Sequence, residues 1–293
     1  MSKDIQEYLN VIRRQYRDEL YFQNFRKRYI EWLENSKVDG DENLLTSLLF
    51  NLEFYPKVVI KKKLKEKISE LKKLSNNFYS TVILPLTPTD GRHSGSNDMI
   101  QIIKEIEREE VMRGSNFLPY RDTILTDIKY SEEYKNLIFV DDISGTGDTV
   151  KEFIGEHHEL MKGKKVTFLF IVVTKKSLDS FENIIKEYGD IQFEFIYCDL
   201  AKDLSAANVL SKEQYERLYH IEEGLWGKGN RNILGYKNSE LLILFSHNIP
   251  NNTVSAFWYH SKHKPDKWKR LFVRISAPNR KRQNYENRKV TNR

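Results

Sequence analysis

The sequence has a single cysteine and no long hydrophobic run, and each absence excludes a class of protein. Cys198 is the one cysteine among 293 residues, so a disulfide framework and a cysteine-based metal site are both excluded. No stretch approaches the roughly 18 apolar residues of a transmembrane helix, and the polar start MSKDIQEYLN lacks the apolar segment of a secretion signal. These features predict a soluble protein in the reducing cytoplasm.

Positive charge is concentrated at the C-terminus. Residues 261–293 contain twelve Lys or Arg against Asp266 and Glu286, a balance of +10, whereas the whole chain carries +6, which leaves −4 for the remainder. A basic segment of this kind can neutralise phosphates and release counterions, which favours contact with nucleic acid or a ribonucleoprotein partner. A solvated tail without a partner is the alternative. We define 276–293 as the basic tail.

The first seventy or so residues have the apolar spacing of helices. Apolar side chains recur every three or four positions within 5–16 and 22–33, and leucines at 44, 45, 48 and 49 supply a third apolar face. A basic helix, KKKLKEKISELKKL, follows from Lys61. We therefore predict an all-helical N-terminal region over 1–76.

From Thr81 the pattern changes to short strand-like runs separated by helical segments. The runs are TVILPL, NLIFVDD, KVTFLFIVV and IQFEFIYCDL, and the helices predicted between them are Asp98–Glu110, Asp148–Met161 and Ser177–Tyr188. This alternation predicts an α/β domain over 77–275 with a doubly wound parallel sheet covered on both faces.

Two adjacent acids follow the apolar strand predicted at Leu137–Val140. Asp141 and Asp142 would stand at the carboxyl end of that strand, where open α/β sheets bind their ligands. The next loop enters a helix whose free N–H groups and positive dipole end favour a phosphate. The residues that would hold this phosphate are Ser144, Gly145, Thr146, Gly147, Asp148 and Thr149.

Carboxylates beside a phosphate loop need binding partners of their own. The vicinal hydroxyls of a ribose fit, because a carboxylate accepts hydrogen bonds from both, and a Mg²⁺ bound by Asp141 and Asp142 would offset the negative charge. The segment lacks the third glycine of a dinucleotide-binding motif and the Gly-Lys-Ser/Thr ending of a Walker A loop. A capped helix preceded by an aspartate-containing turn is the structural alternative, and the combination as a whole favours a ribose 5-phosphate.

On these residues, Leu137–Thr149 resembles the phosphoribosyl diphosphate (PRPP) signature of type I phosphoribosyltransferases. The resemblance implies that Asp141 and Asp142 are the catalytic residues that hold the ribose, with Mg²⁺ as cofactor, and that Ser144–Thr149 holds the 5-phosphate. It also implies a pyrophosphate loop at TPTDGRHSGSN, which contributes Arg92, Ser94, Gly95 and Ser96. Transferases usually close a long loop over the site, but the corresponding segment here, 114–133, is short, which speaks against ordinary base transfer.

A second resemblance lies near the C-terminus. Gly235–Thr253, GYKNSELLILFSHNIPNNT, with the later FWYHS and WKRLFVR, is similar to the phosphoribosyltransferase-like proteins that accompany bacterial defence cassettes, retron cassettes among them. It implies a hood at about 235–260 that receives a base through Asn248, Asn251 and Asn252. The alternative makes HNIPNNT a turn held by Asx hydrogen bonds, with Trp258 in the core.

Three functions fit these features. The first is an antiviral or toxin-like effector that acts on PRPP or a nucleotide at the anomeric carbon of the ribose and is restrained by a protein or ribonucleoprotein partner. The second is a non-catalytic sensor of PRPP or nucleotides that also holds nucleic acid. The third, nucleobase salvage, is the weakest, because salvage requires neither the N-terminal helices nor the basic tail.

Overall fold

The computed structural model describes residues 7–8, 10–11, 14–16, 18–74, 80–87, 94–114, 134–261 and 263–275. The chain divides into two compact units. The first unit draws on 1–63, 173–176 and 199–274, and the second on 64–172, 177–198 and the residues from 275 onward. This spatial grouping cuts across the linear segments 1–76 and 77–275. No helix in the described ranges is long and apolar enough to cross a membrane.

The N-terminal region contains helices and one short strand. The elements are α1 (Phe25–Leu33), α2 (Asp41–Phe50), β1 (Glu53–Tyr55) and α3 (Lys57–Leu74). The helices confirm the predicted apolar spacing, whereas β1 shows that the prediction of an all-helical region was wrong. The strand pairs in parallel with residues 243–245, so its partner lies too far along the chain for local spacing to reveal it.

A parallel α/β sheet follows. Its described strands are β2 (Thr81–Pro85), β3 (Asn136–Ser144), β4 (Lys165–Thr174) and β5 (Gln192–Ala201), in the order β2-β3-β4-β5. Between them in sequence lie α4 (Gly95–Met112), α5 (Asp148–Met161) and α6 (Lys175–Glu187). β2 pairs in parallel with β3, from Thr81↔Asn136 to Pro85↔Val140. The predicted α/β class, with a doubly wound parallel sheet, is confirmed.

Aromatic packing fixes β3 within the sheet. Phe139 is fully buried and stacks on Phe168 at 5.4 Å between ring centroids. Phe168 stacks in turn on Phe195 of β5 at 5.3 Å, and Phe181 of α6 stacks on Phe195 at 4.1 Å. Since these rings interlock, the backbone that follows Phe139 has little freedom to shift.

The C-terminal elements share a core with the N-terminal helices. They are α7 (Leu204–Ala207), α8 (Lys212–Trp226) and β6 (Ile243–Phe245), followed by 3₁₀ turns at Ser255–Phe257 and Pro265–Lys267. Trp32 of α1 stacks on Phe257 at 5.4 Å, and its indole N–H donates to Ala256 O at 2.8 Å. The Trp268 indole donates to the same carbonyl at 2.8 Å. The N-terminal helices therefore pack against residues from the other end of the chain.

A carboxylate lies inside this core. Glu222 of α8 is fully buried and accepts hydrogen bonds from Leu234 N at 2.6 Å and Ala256 N at 2.7 Å. Burial raises the pKa of Glu222 to about 7, and hydrogen bonds from Ser255, Ala256 and Leu234 offset part of that effect. Leu234 has a φ of 54°, a left-handed conformation that branched side chains seldom adopt. Glu222 thus ties a strained loop to the Ser255–Phe257 turn.

The pH dependence of unfolding tests this carboxylate. Because its folded-state pKa is about 7, above the ordinary 4.5, the folded protein takes up a proton before the unfolded chain does. The contribution of Glu222 to the free energy of unfolding therefore rises as the pH falls from about 8 to about 5. We expect Glu222→Gln to lose this rise and, because an amide nitrogen cannot accept a backbone N–H, to cost about 1–3 kcal/mol near pH 7. Urea unfolding across this pH range measures both effects. If the free energies of unfolding of variant and wild type differed by the same amount at every pH, the raised pKa of Glu222 would be contradicted.

Candidate functional site

Asp141 and Asp142 lie within β3 itself. The pairing of β3 with β2 ends at Val140, but β3 continues to Ser144. The strand therefore extends two residues beyond the predicted run NLIFVDD, and Ser144, which was predicted to lie in the loop, belongs to the strand. The apolar run ends at Val140, but β3 continues through polar residues, and β4 is its second hydrogen-bonded neighbour in the sheet. The loop proper is Gly145–Gly147.

The two carboxyl groups are buried side by side. Asp141 is 6% exposed and Asp142 is 8% exposed. Burial, and then the neighbouring Asp142 carboxylate, raises the pKa of Asp141 well above its ordinary value. The backbone N–H groups of Asp142, at 2.9 Å from Asp141 Oδ1, and of Ser96 act in the opposite direction by hydrogen bonding to the charged form. A cation or hydroxyl groups at this position would stabilise the ionised pair further.

The N-terminus of α4 packs directly against these acids. The Ser96 N–H donates to Asp141, and a Cβ added to Gly95 would overlap the Asp142 carboxylate. Ser96 is fully buried, and its hydroxyl is hydrogen-bonded to the Ser94 hydroxyl. Three residues predicted to bind pyrophosphate, Ser94, Gly95 and Ser96, are thus gathered around the acid pair. Local sequence patterns do not reveal this contact, because it depends on how α4 packs against β3.

Two predicted parts of the site lie outside the described residues. Arg92 of the pyrophosphate loop falls within 88–93, and nearly all of the closing segment 114–133 falls within 115–133. The roles assigned to them stay predictions.

The loop after β3 makes a tight entry into α5. Gly147 has a φ of 78°, and a Cβ there would overlap the side chain of Ser180 on α6, so glycine is required twice over. The Thr146 hydroxyl donates to Asp148 Oδ2 at 2.8 Å and accepts from Asp148 N at 3.4 Å. Ser144, Gly145 and Gly147 are buried, whereas Thr146, Asp148 and Thr149 are partly exposed. The exposed members stand at the start of a 14-residue helix, where backbone N–H groups favour an anion.

The asparagines predicted to read a base belong to the other unit and make local contacts. Asn248 Oδ1 accepts from Ile249 N at 3.0 Å, and Asn252, 7% exposed, donates to Ser239 Oγ at 3.2 Å. Asn251 O accepts from Tyr236 N at 2.8 Å. Trp258 is buried, and its indole donates to Thr253 O at 2.9 Å. These contacts match the alternative of a turn with Trp258 in the core, and base binding stays a prediction.

Comparison with known proteins places the chain in a family. The sequence profile of the family PRTase-CE matches residues 29–274. The chain belongs to the PRTase-CE family. The protein is therefore phosphoribosyltransferase-like. Because the match begins at Tyr29 in α1, the region that the family shares includes the rest of α1 together with α2 and α3.

The PRTase-CE protein was also compared with solved structures and with curated proteins. A hypoxanthine-guanine phosphoribosyltransferase from Schistosoma mansoni, solved in complex with IMP, is similar at 19% identity with a TM-score of 0.32. The alignment covers 53% of this chain and 72% of that chain. No curated protein matches.

A glycine substitution tests the contact between α4 and the acids in the PRTase-CE protein. Gly95→Ala should destabilise the fold by about 1–3 kcal/mol, because the new methyl group overlaps the Asp142 carboxylate. Gly224→Ala is the matched control, since this glycine also lies in a helix but has open space around it. The control should be neutral or slightly stabilising.

Urea unfolding measures the stability of both variants. Combining Gly95→Ala with Asp142→Ala should recover most of the loss in a double-mutant cycle. Simple additivity in that cycle would show that Gly95 and Asp142 do not meet.

Proposed function

We propose that this PRTase-CE protein binds PRPP or a nucleotide through its ribose 5-phosphate. Asp141 and Asp142 accept hydrogen bonds from the ribose hydroxyls, and the segment Ser144–Thr149 holds the 5-phosphate. The observation that supports this most is the buried acid pair on β3, followed within a few residues by a glycine-containing helix start, in a phosphoribosyltransferase-like family. An isolated helix cap would not require two buried carboxylates beside it.

The acid pair also fits a magnesium ion. Among the residues that the structure describes, no three His, Cys, Asp or Glu side chains are grouped to hold a metal. Mg²⁺ commonly takes only one or two carboxylates, with water and substrate phosphates completing its coordination, so Asp141 and Asp142 suffice. When bound, the ion would neutralise charge on a departing pyrophosphate.

The chain's own residues would position the reacting sugar. The loop anchors the 5-phosphate at the start of α5, so binding energy remote from the reaction orients the anomeric carbon. Thr146 orders this loop through its two contacts with Asp148. The carboxylates of Asp141 and Asp142 would hold the ribose hydroxyls while positive charge develops on the ring, which their negative charge stabilises. These roles suit pentosyl transfer or nucleotide degradation.

A second candidate is a non-catalytic sensor, and the start of α4 favours it. Ser96 is fully buried, and its N–H is donated to Asp141. An N–H that holds a protein carboxylate is not available to stabilise a departing pyrophosphate. A protein built in this way binds the ribose 5-phosphate and reports its presence without breaking a bond.

The cellular role we propose is that of an effector in a bacterial antiviral system of the retron type. Support comes from the similarity of 235–253, FWYHS and WKRLFVR to the phosphoribosyltransferase-like proteins of such cassettes. A cytoplasmic location and a protein or ribonucleoprotein partner that restrains the effector belong to the same proposal. The basic tail lies outside the described residues, and its contact with nucleic acid stays a prediction.

Neutralising the ribose acids tests the binding site. The double variant Asp141→Asn/Asp142→Asn should weaken PRPP binding by about a hundredfold, because losing charged hydrogen bonds to two hydroxyls costs about 3 kcal/mol. The matched control is Asp179→Asn/Asp190→Asn, which removes two exposed carboxylates from the same unit and should bind normally. Calorimetric titration with PRPP and Mg²⁺ measures both affinities. Equal affinity in the two double variants would overturn the assignment.

A turnover assay separates effector from sensor. If the protein is an enzyme, the purified chain with Mg²⁺ should consume PRPP or a nucleotide, and Asp142→Asn should not. Thr146→Val should then lower turnover as well as affinity, because the loop that anchors the phosphate loses a hydroxyl contact. Chromatography of a PRPP and nucleotide mixture before and after incubation provides the readout. Tight binding of PRPP without any altered ribose compound would exclude an enzyme and favour the non-catalytic sensor.

A further inference from the structure

Two basic side chains lie over one aromatic ring in the first unit, and a third contacts the backbone beside it. The Arg231 guanidinium carbon lies 5.3 Å from the centroid of the Tyr236 ring, and Lys237 Nζ lies 5.6 Å from it. Lys176 Nζ donates to Lys237 O at 2.9 Å, which brings a third cation to the group. The three basic residues are exposed and Tyr236 is partly exposed. We call Lys176, Arg231, Tyr236 and Lys237 the basic Tyr236 surface.

The charge of this surface is of one sign. Residues 227–239 contain Lys228, Arg231 and Lys237 and no acid, and Lys175 precedes Lys176 in the chain. Five cations thus fall in two short segments of the same unit. A concentration of positive charge on an exposed loop favours a polyanionic partner.

The backbone that carries these side chains is firmly held. Lys237 N donates to Arg231 O at 2.6 Å, and Tyr236 N donates to Asn251 O at 2.8 Å. Gly235 has a φ of 81°, and a Cβ there would overlap Asn252 O. The HNIPNNT turn, predicted above to read a base, therefore anchors the loop that bears the surface.

Backbone strain is concentrated in the same loop. Lys237 and Asn238 have φ values of 52° and 54°, in the left-handed region that costs energy for residues with side chains. Such conformations persist only where surrounding contacts impose them, and they recur at functional sites. In this loop, the left-handed conformations fix the direction in which the exposed Lys237 side chain extends.

We propose that the basic Tyr236 surface binds single-stranded nucleic acid. Its cations would neutralise backbone phosphates, and those held over the ring lose less freedom on binding than free side chains do. Guanidinium and phenol groups also stack on bases, which an acidic protein does not offer, so the aromatic ring favours nucleic acid over an acidic protein partner. The proposal goes beyond ribose 5-phosphate binding and does not depend on it.

Fluorescence anisotropy with a labelled oligothymidylate of about 20 nucleotides tests the full chain. Arg231→Ala/Lys237→Ala should raise Kd about tenfold near 0.1 M salt and lower the slope of log K against log salt by about 1.4, or about 0.7 for each cation removed. The matched control is Lys27→Ala/Lys212→Ala, which removes two cations of the same unit whose side chains are 79% and 87% exposed. The control should bind like the wild type.

A second pair of variants distinguishes the contribution of the Tyr236 ring to binding from an effect on folding. Tyr236→Phe keeps the aromatic face and should bind normally, whereas Tyr236→Leu should weaken binding with unchanged thermal unfolding. PRPP affinity should stay normal in Arg231→Ala/Lys237→Ala, so this result and a failure of the ribose site are distinguishable. Binding of Arg231→Ala/Lys237→Ala equal to that of the control would overturn the proposal. Displacement of the oligonucleotide by an equal charge of polyglutamate would also overturn it.

Discussion

The structure of the candidate site depends on the cost of burying two adjacent carboxyl groups. Asp141 and Asp142 are less than a tenth exposed, and both cannot ionise there without compensation. The start of α4 supplies part of it, through the Ser96 N–H and the positive end of the helix. That approach requires a residue without a Cβ at position 95 and a buried Ser96. The compensation is incomplete, since the pKa of Asp141 remains raised, and a ribose with its cation would supply the remainder.

Backbone N–H donors also compensate a buried carboxylate in the first unit, where they hold Glu222. There the carboxylate is structural and joins the loop before β6 to the Ser255–Phe257 turn. The two units therefore use one chemical device for different ends. In the second unit, a backbone N–H holds one of the two acids that we propose bind a ribose, and in the first unit backbone N–H groups stabilise a loop that presents cations. The family match over 29–274 includes both units, so both belong to what the family shares.

Much of the sheet was predictable, because its strands are short apolar runs and its helices have clear periodicity. The predicted helix Asp148–Met161 matches the observed bounds of α5, and the four predicted strands agree with β2 to β5 within two residues at each end. β1 was missed because its partner β6 is distant in sequence. The contact of Gly95 with Asp142, and that of Gly147 with Ser180, depend on how elements pack, so local patterns carry no trace of them. The packing of Trp32 against Phe257 could not be predicted from local patterns for the same reason.

The proposed site from Asp141 to Thr149 would bind a ribose 5-phosphate group. Hydrogen–deuterium exchange of the full chain, with and without ribose 5-phosphate and Mg²⁺, isolates this binding, because the minimal ligand contains neither base nor pyrophosphate. We expect slower exchange at the amides of 145–149, where the helix start would receive the phosphate, and little change at 248–252. Unchanged exchange at 145–149 under saturating ligand, or protection confined to another part of the chain, would show that the ribose 5-phosphate does not bind at this segment.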